Sequence, residues 1–355
     1  MAQSNNHLVI MAGGVGSRFW PMSTTEHPKQ FIDVLGVGQT LLQLTYDRFS
    51  GVVPSDNVWV VTNQKYVDLV HEQLPEMPLN HILSEPCRRN TAPCIAYVSW
   101  RIKKENPKAN IVVSPSDHVV MDNTEFRRVV TNCMKFTAET DAIVTLGMKP
   151  TRPETGYGYI QADLSTASAR NKEIYRVDHF REKPDLETAE RYIRQNNFFW
   201  NAGIFIWSAS TIVNAFRIYQ PSVARIFEQI MNVLGTSEEQ RVIDEVYPEC
   251  ENISVDYAIM ERAEEIFICP ASFGWSDLGT WGSLMAQSQR DLYGNAIIGN
   301  EIHLFDSRNC IVHTTEERKV VIQGLDGYIV AEQGGKLLIC KLSEEQRLKQ
   351  FTGEG

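Results

Sequence analysis

The sequence predicts an α/β fold: an open, mostly parallel sheet with helices on both faces, followed by a small all-β domain. Three observations carry this. Apolar runs of strand length alternate with segments of helical period through most of the first half of the chain. The first run, residues 7–11, breaks at once into the turn Ala12-Gly13-Gly14-Val15-Gly16-Ser17. From Asn295 onward, short β-rich runs follow one another with turn residues between them and no long helix. The composition change divides the chain into a domain over 1–290 and a β-rich domain over 291–355.

The elements justify themselves in order. Residues 7–11 read as a buried parallel strand. Thr40 can cap a helix with Leu42, Tyr46 and Phe49 on one face. Residues 57–62 form the next strand, and Val67, Val70 and Leu74 repeat at helical spacing. Pro93 suits the first turn of a helix that turns Ile95, Val98 and Ile102 inward. Residues 110–114 and 142–147 are further strands, separated by a helix marked by Phe126, Val129, Cys133 and Phe136. Residues 151–289 mix α and β. In open sheets of this kind ligands bind at the carboxyl ends of strands, where Gly13 and Asp117 both fall.

Composition narrows the function. The chain has 355 residues, 43% hydrophobic and 22% charged, with a formal net charge of −10. Its mean hydropathy is −0.25. No apolar run approaches a membrane span, and the polar start lacks the apolar core of a signal peptide, so a cytoplasmic protein is expected. The acidic balance argues against nucleic acid or an anionic membrane as partner. Seven scattered cysteines form no CxxC pair, as expected of reduced thiols. An acidic protein that binds polyphosphate must gather cations locally; Arg18, Lys29, Arg88, Arg89 and Lys183 are the candidates.

The turn after the first strand is the focus of the chemistry. Its glycines permit positive φ and let a ligand approach backbone N–H groups, which are ready anion donors. Ala12, Gly13, Gly14, Gly16 and Ser17 are therefore nucleotide-binding candidates. Arg18 and Lys29 follow, separated by Pro21 and Pro28, which stiffen the loop. A Walker loop is excluded because Ser17-Arg18 follows Gly16, and a dinucleotide fingerprint fails at Phe19. The remaining pattern, AGGVGSRFWPMS…PKQF, resembles the sugar-nucleotide pyrophosphorylases, and among them the bacterial mannose-1-phosphate guanylyltransferases. The resemblance implies a Rossmann-like sheet of the nucleotide-diphospho-sugar transferase type. It also implies a left-handed β-helix-like C-terminal module that makes subunit contacts, hence a homodimer. Some members continue into a phosphomannose isomerase domain, for which a chain ending near Gly355 leaves no room. Thr24 departs from the pattern, standing where many members have Arg.

Further segments fit the same chemistry. Asp117, in Ser114-Pro115-Ser116-Asp117-His118, closes a strand, and Asp277 lies in the turn over residues 275–281. Mg²⁺ is held by one or two carboxylates with water and phosphate oxygens, and the resemblance makes these two aspartates its ligands. His118 is expected to be structural, since hard Mg²⁺ prefers oxygen. Glu85 lies between a strand and the Pro93 helix. As an acceptor-only carboxylate it suits guanine N1–H and N2–H₂, with Asn90 available for another edge, although an acid beside a helix start reads nearly as well. The segments 156–160, Glu182-Lys183-Pro184 and 200–205 resemble the family's sugar-phosphate site. They supply Gly158, Glu182 and Asn201 for the sugar and Lys183 for its phosphate. Residues 254–261 also match and read as a capped supporting helix.

The implied reaction joins GTP and mannose 1-phosphate to give GDP-mannose and pyrophosphate. Arg18, Lys29 and Lys183 are its catalytic candidates, and Mg²⁺ its cofactor. The alternatives are another NTP and hexose 1-phosphate pair, or a non-catalytic sugar-nucleotide sensor on the same fold.

Overall fold

The structure, a computed structural model, describes residues 5–14, 17–315 and 319–352. It comprises two compact units, 1–13 with 46–115 and 120–275, and 14–45 with 116–119 and 276–355. Composition alone divides the chain at 290/291, whereas packing gathers 14–45 and 276–290 with the C-terminal strands.

The first unit is built on a nine-stranded sheet. Its chain order is β1 (Asn6–Met11), β2 (Val58–Asn63), β3 (Ile82–Glu85) and β4 (Asn110–Pro115). A two-residue strand, β5 (Val119–Val120), follows in the chain, then β6 (Ile143–Met148), β7 (Tyr159–Ala167), β8 (Tyr175–Arg181), β9 (Phe198–Ser208) and β10 (Ile266–Ala271). The spatial order is β3-β2-β1-β4-β9-β6-β10-β8-β7. Pairing directions give seven of these nine strands one sense, with β8 and β9 running against it, as expected for a mostly parallel sheet. Parallel strands buried on both faces explain why β1, β2 and β4 are continuous apolar runs.

The helices of this unit are α2 (Val67–Gln73), α3 (Thr91–Glu105), α4 (Asn123–Ala138), α5 (Leu186–Ile193), α6 (Ala209–Tyr219), α7 (Pro221–Gln229) and α8 (Glu239–Val246); α1 (Leu41–Arg48) begins in the second unit. The Asp122 and Asp185 side chains cap α4 and α5, accepting from Glu125 N and Thr188 N. Ile95, Val98, Ile102, Trp100 and Phe227 meet the sheet residues Val61, Val113 and Trp207 in one core. The segment 254–261, expected as a capped helix, instead holds a π-helical turn, Asp256–Met260, a rare form often found at functional sites.

The second unit has its own core, in which Phe19, Met22, Ile32 and Leu41 meet Trp281, Leu284, Ala296, Ile311 and Ile329. A second two-residue strand, β11 (Trp275–Ser276), precedes α9 (Trp281–Gln287), which a capping box of Thr280 and Ser283 starts. Beyond it lie β12 (Ala296–Ile298), β13 (Ile302–Phe305), β14 (Ile311–Thr314), β15 (Val320–Gln323), β16 (Tyr328–Gln333) and β17 (Lys336–Lys341), then the short helix α10 (Leu348–Thr352). β12, β14 and β16 stack in parallel, placing Ala296, Ile311 and Ile329 in one row, while β13 pairs in parallel with β15. These are successive coils of one stack. β17 reverses against β16 and forms its edge. All seven cysteines are free. Among the described residues no helix is long and apolar enough to cross a membrane.

Candidate functional site

The site residues fall into clusters within each unit, and each cluster is described by itself. In the second unit the organising group is Lys29. It is 5% exposed, and its ammonium donates to the carbonyls of Asp277 (2.7 Å) and Leu278 (3.1 Å) and pairs with Asp117 Oδ2 (2.9 Å). An ammonium has three protons, so these partners exhaust its donors. Lys29 therefore fastens the two aspartate-bearing segments to each other. Leu278 is fully buried at φ 44°, a left-handed conformation costly for a β-carbon residue. The core around Leu278 and the Lys29 bonds to the carbonyls of residues 277 and 278 hold that turn. Burial would raise the Asp117 carboxyl, but Lys29 and His118 outweigh it and hold the group below the usual range. His118 Nε2 lies 3.6 Å from Asp117 Oδ1.

Arg18 and Asp277 both approach Gly279. A β-carbon added at Gly279 would stand 2.8 Å from Asp277 Oδ2 and 3.4 Å from Arg18 Nη1, so glycine leaves room between acid and cation. Gln30 donates to the Gly14 carbonyl at 2.7 Å and pins the glycine turn. A β-carbon at Gly14 would meet open space. Neither Gly13 nor Gly14 takes a positive φ, contrary to expectation. Gly16 lies outside the described residues, as does the Ser17 side chain. Thr24, at the family's Arg position, closes a tight turn: its hydroxyl accepts from His27 N at 3.1 Å.

In the first unit, Ala12 is fully buried and its N–H is spent on the Val61 carbonyl at 2.8 Å. Gly13 matters for space, since a β-carbon there would lie 3.0 Å from Glu85 Oε2. Glu85 ends β3, buried, well before α3 begins at Thr91, so it is not a helix-start acid. Tyr247 OH donates to Glu85 Oε1. Ser84 Oγ donates to Gln240 Oε1 at 2.8 Å, tying the same strand end to α8. Burial pushes the Glu85 carboxyl up to about 7, opposed by the Tyr247 hydrogen bond and Arg88. It is thus partly protonated at neutral pH, not the simple acceptor expected. Asn90, at φ 65°, accepts from Thr91 N at 3.0 Å as the cap of α3. Arg89 donates to the Pro248 carbonyl.

A second cluster of this unit joins the three sugar candidates. A β-carbon at Gly158 would fall 2.5 Å from Glu182 Oε2 and 3.4 Å from Asn201 Cβ. Lys183 Nζ lies 2.8 Å from Glu182 Oε1, its backbone at φ 46°. Asn201 Oδ1 accepts from Thr145 Oγ1 (3.0 Å), and its Nδ2 donates to Asp256 Oδ1 (3.0 Å). Tyr157 packs edge-on against both Trp200 and Trp275, with Arg152 over the Trp200 ring. Sequence reasoning passes over Asp256 and Tyr247; Asp256 is visible there only as one acid in a helix-like run. Among the described residues no group of three or more His, Cys, Asp or Glu is placed to hold a metal.

A family model described as nucleotidyl transferase matches residues 7–293. The mannose-1-phosphate guanylyltransferase of Escherichia coli (strain K12) is 36% identical over 357 residues, covering 99% of this chain and 74% of that protein. The alginate biosynthesis protein AlgA of Pseudomonas fluorescens is 35% identical over 352 residues, covering 97% and 70%. A crystal structure described as mannose-1-phosphate geranyltransferase from Thermus thermophilus has a TM-score of 0.86 and 30% identity, covering 99% of each chain.

Proposed function

The chain belongs to the nucleotidyl transferase family, and from that premise we propose that it transfers GMP from GTP to mannose 1-phosphate, releasing pyrophosphate and GDP-mannose. The observation that carries this is the likeness, over 99% of the chain, to a relative named for that reaction. The clusters support it. A sugar 1-phosphate is anionic at neutral pH, so its oxygen can attack the α-phosphorus without a protein base. The chain's task is to align two anions and to balance charge on the departing pyrophosphate.

Lys183, beside Glu182, meets the sugar phosphate, while Gly158, Glu182 and Asn201 take the sugar hydroxyls. Arg18 and the turn over residues 13–17 meet the triphosphate. Lys29, buried and fully engaged, acts by holding Asp117 and Asp277 rather than by touching phosphate. Asp117 and Asp277 offer hard oxygen donors on segments tied to one lysine, a donor set that suits Mg²⁺. Those two carboxylates would hold the ion, and when bound it supplies charge stabilisation to phosphate oxygens.

Glu85 and Asn90 read the base. A Glu85 carboxyl near 7 also favours a second reading, because its protonated form could donate to uracil or thymine. The functional partition into a catalytic 1–290 and a β-rich 291–355, a homodimer and a cytoplasmic setting complete the proposal on the family resemblance. The deciding experiment measures pyrophosphate release with four NTPs against several hexose 1-phosphates. Release from GTP that needs both mannose 1-phosphate and Mg²⁺ supports the reading; activity confined to another pair, or none with any, overturns it.

A further inference from the structure

Asp256 opens the π-helical turn, partly buried, and its Oδ1 accepts Asn201 Nδ2–H at 3.0 Å. The oxygen arm of the same amide accepts the Thr145 hydroxyl at 3.0 Å and the Gly203 N–H at 3.2 Å. These partners permit one orientation. The Gly203 N–H only donates, so a flipped amide would set donor against donor there and would also turn its oxygen toward the ionised Asp256 carboxylate. The strands are shaped for this arrangement. Between the pairs Thr145↔Phe205 and Gly147↔Asn201 the β6–β9 register shifts, with Gly203 at φ 68° inside the irregularity. Such bulges re-aim side chains beside active sites. With its oxygen and one N–H engaged, Asn201 has a single N–H left to offer.

The charged groups around Asp256 complete the cluster. Glu182 and Lys183 face it from the end of β8, Ser254 from the approach to its own turn, and Asn201 from β9. Burial and the Glu182 charge push the Asp256 carboxyl up to about 7, against the pull of Lys183.

We propose that Asp256 is a positioning residue of this site: it orients the Asn201 amide so that the remaining N–H meets a sugar hydroxyl. The proposal rests on the sugar-phosphate reading of the cluster.

Two arms test it. The first needs no substrate: asparagine side-chain amides are followed by NMR in wild type, Asp256→Ala and Asp256→Asn. An Asn201 amide proton shielded from exchange in wild type, lost in Asp256→Ala and kept in Asp256→Asn is expected; an unchanged Asn201 signal in Asp256→Ala overturns the proposal. The second arm is kinetic. Asp256→Ala should raise KM for mannose 1-phosphate about tenfold, leave KM for GTP within about twofold, and be largely rescued by Asp256→Asn, whose oxygen still accepts. Adding Asp256→Ala to Asn201→Ala should cost nothing further. Additive losses, or equal losses for both substrates, overturn it. A wild-type protein inactive toward mannose 1-phosphate counts against the proposed function, and the NMR arm still decides whether Asp256 orients Asn201.

Discussion

Lys29 Nζ lies 2.9 Å from Asp117 Oδ2 while donating to the Asp277 carbonyl at 2.7 Å, so one buried ammonium joins residues 160 positions apart. The chemistry of both aspartates depends on this tie. Lys29→Met leaves the Asp117 carboxylate without its partner and two carbonyls without their donor. Asp117 is 35% exposed, so losing the pair costs less than the several kcal/mol of a fully buried one, but it still destabilises. The expected outcome is a lower Tm together with a raised Mg²⁺ requirement for turnover. If KM for GTP rises while Tm and the Mg²⁺ dependence stay fixed, Lys29 touches phosphate instead.

Asp117→Asn and Asp277→Asn should each lower turnover by about three orders of magnitude or more with circular dichroism near wild type; Asp277→Asn keeps the wild-type Tm, whereas Asp117→Asn also lowers it, because the buried Lys29 ammonium loses its counter-charge. The amide keeps the volume and removes the charge that would hold a cation. Near-normal turnover at saturating Mg²⁺ in either variant removes that residue from the metal site.

Lys183→Ala should weaken mannose 1-phosphate by about tenfold or more and leave GTP nearly unaffected, since its ammonium lies beside Glu182 in the sugar cluster. Arg18→Ala should show the opposite preference. Isothermal titration of each ligand separates the two, and equal losses for both ligands in both variants defeat the division.

Glu85 makes stability depend on pH. The folded chain keeps its proton up to about 7, while an unfolded chain releases it near 4.5. The contribution is therefore full below about 4.5 and is lost as pH rises to about 7, an effect on the order of 3 kcal/mol. Asp256, also raised to about 7, adds the same sign. Glu85→Gln should flatten the profile, its oxygen still accepting from Tyr247. Urea midpoints at pH 5 and pH 8 check this, and parallel profiles for the two proteins contradict it. The same variant should lower the GTP to UTP ratio of kcat/KM by about tenfold; an unchanged ratio means that the base is read elsewhere.

Much of the fold is legible in the sequence because its signals are local. The apolar runs of β1, β2 and β4, the Asp185 cap and the coil rhythm after Asn295 all lie within short windows. The gathering of Gly158, Glu182 and Asn201 into one cluster is legible through resemblance, as three segments in family order. What escapes depends on distance or burial. The Tyr247–Glu85 bond spans 162 positions, and no window contains both residues. Lys29 shows its charge in the sequence but not its seclusion, so it reads as a phosphate ligand. Asp256 hides in a run with helical character because a π turn has no distinct letter pattern. The glycines at 13 and 14 suggest unusual φ, when what Gly13 supplies is room for Glu85.

The reversal of β17 has a consequence for solubility. A stack of parallel coils ends in a strand whose unpaired groups could recruit a like strand from another molecule, the route to aggregation. Here the last strand runs backwards, so the coil repeat cannot simply be extended past it. That edge also exposes Leu337 and Ile339, the greasy positions on which a foreign strand would settle. Lys336 and Lys341 stand at its two ends, so any copy aligned along it would bring lysine against lysine. The reversed strand and the lysines at its two ends are features that disfavour templated growth of the stack.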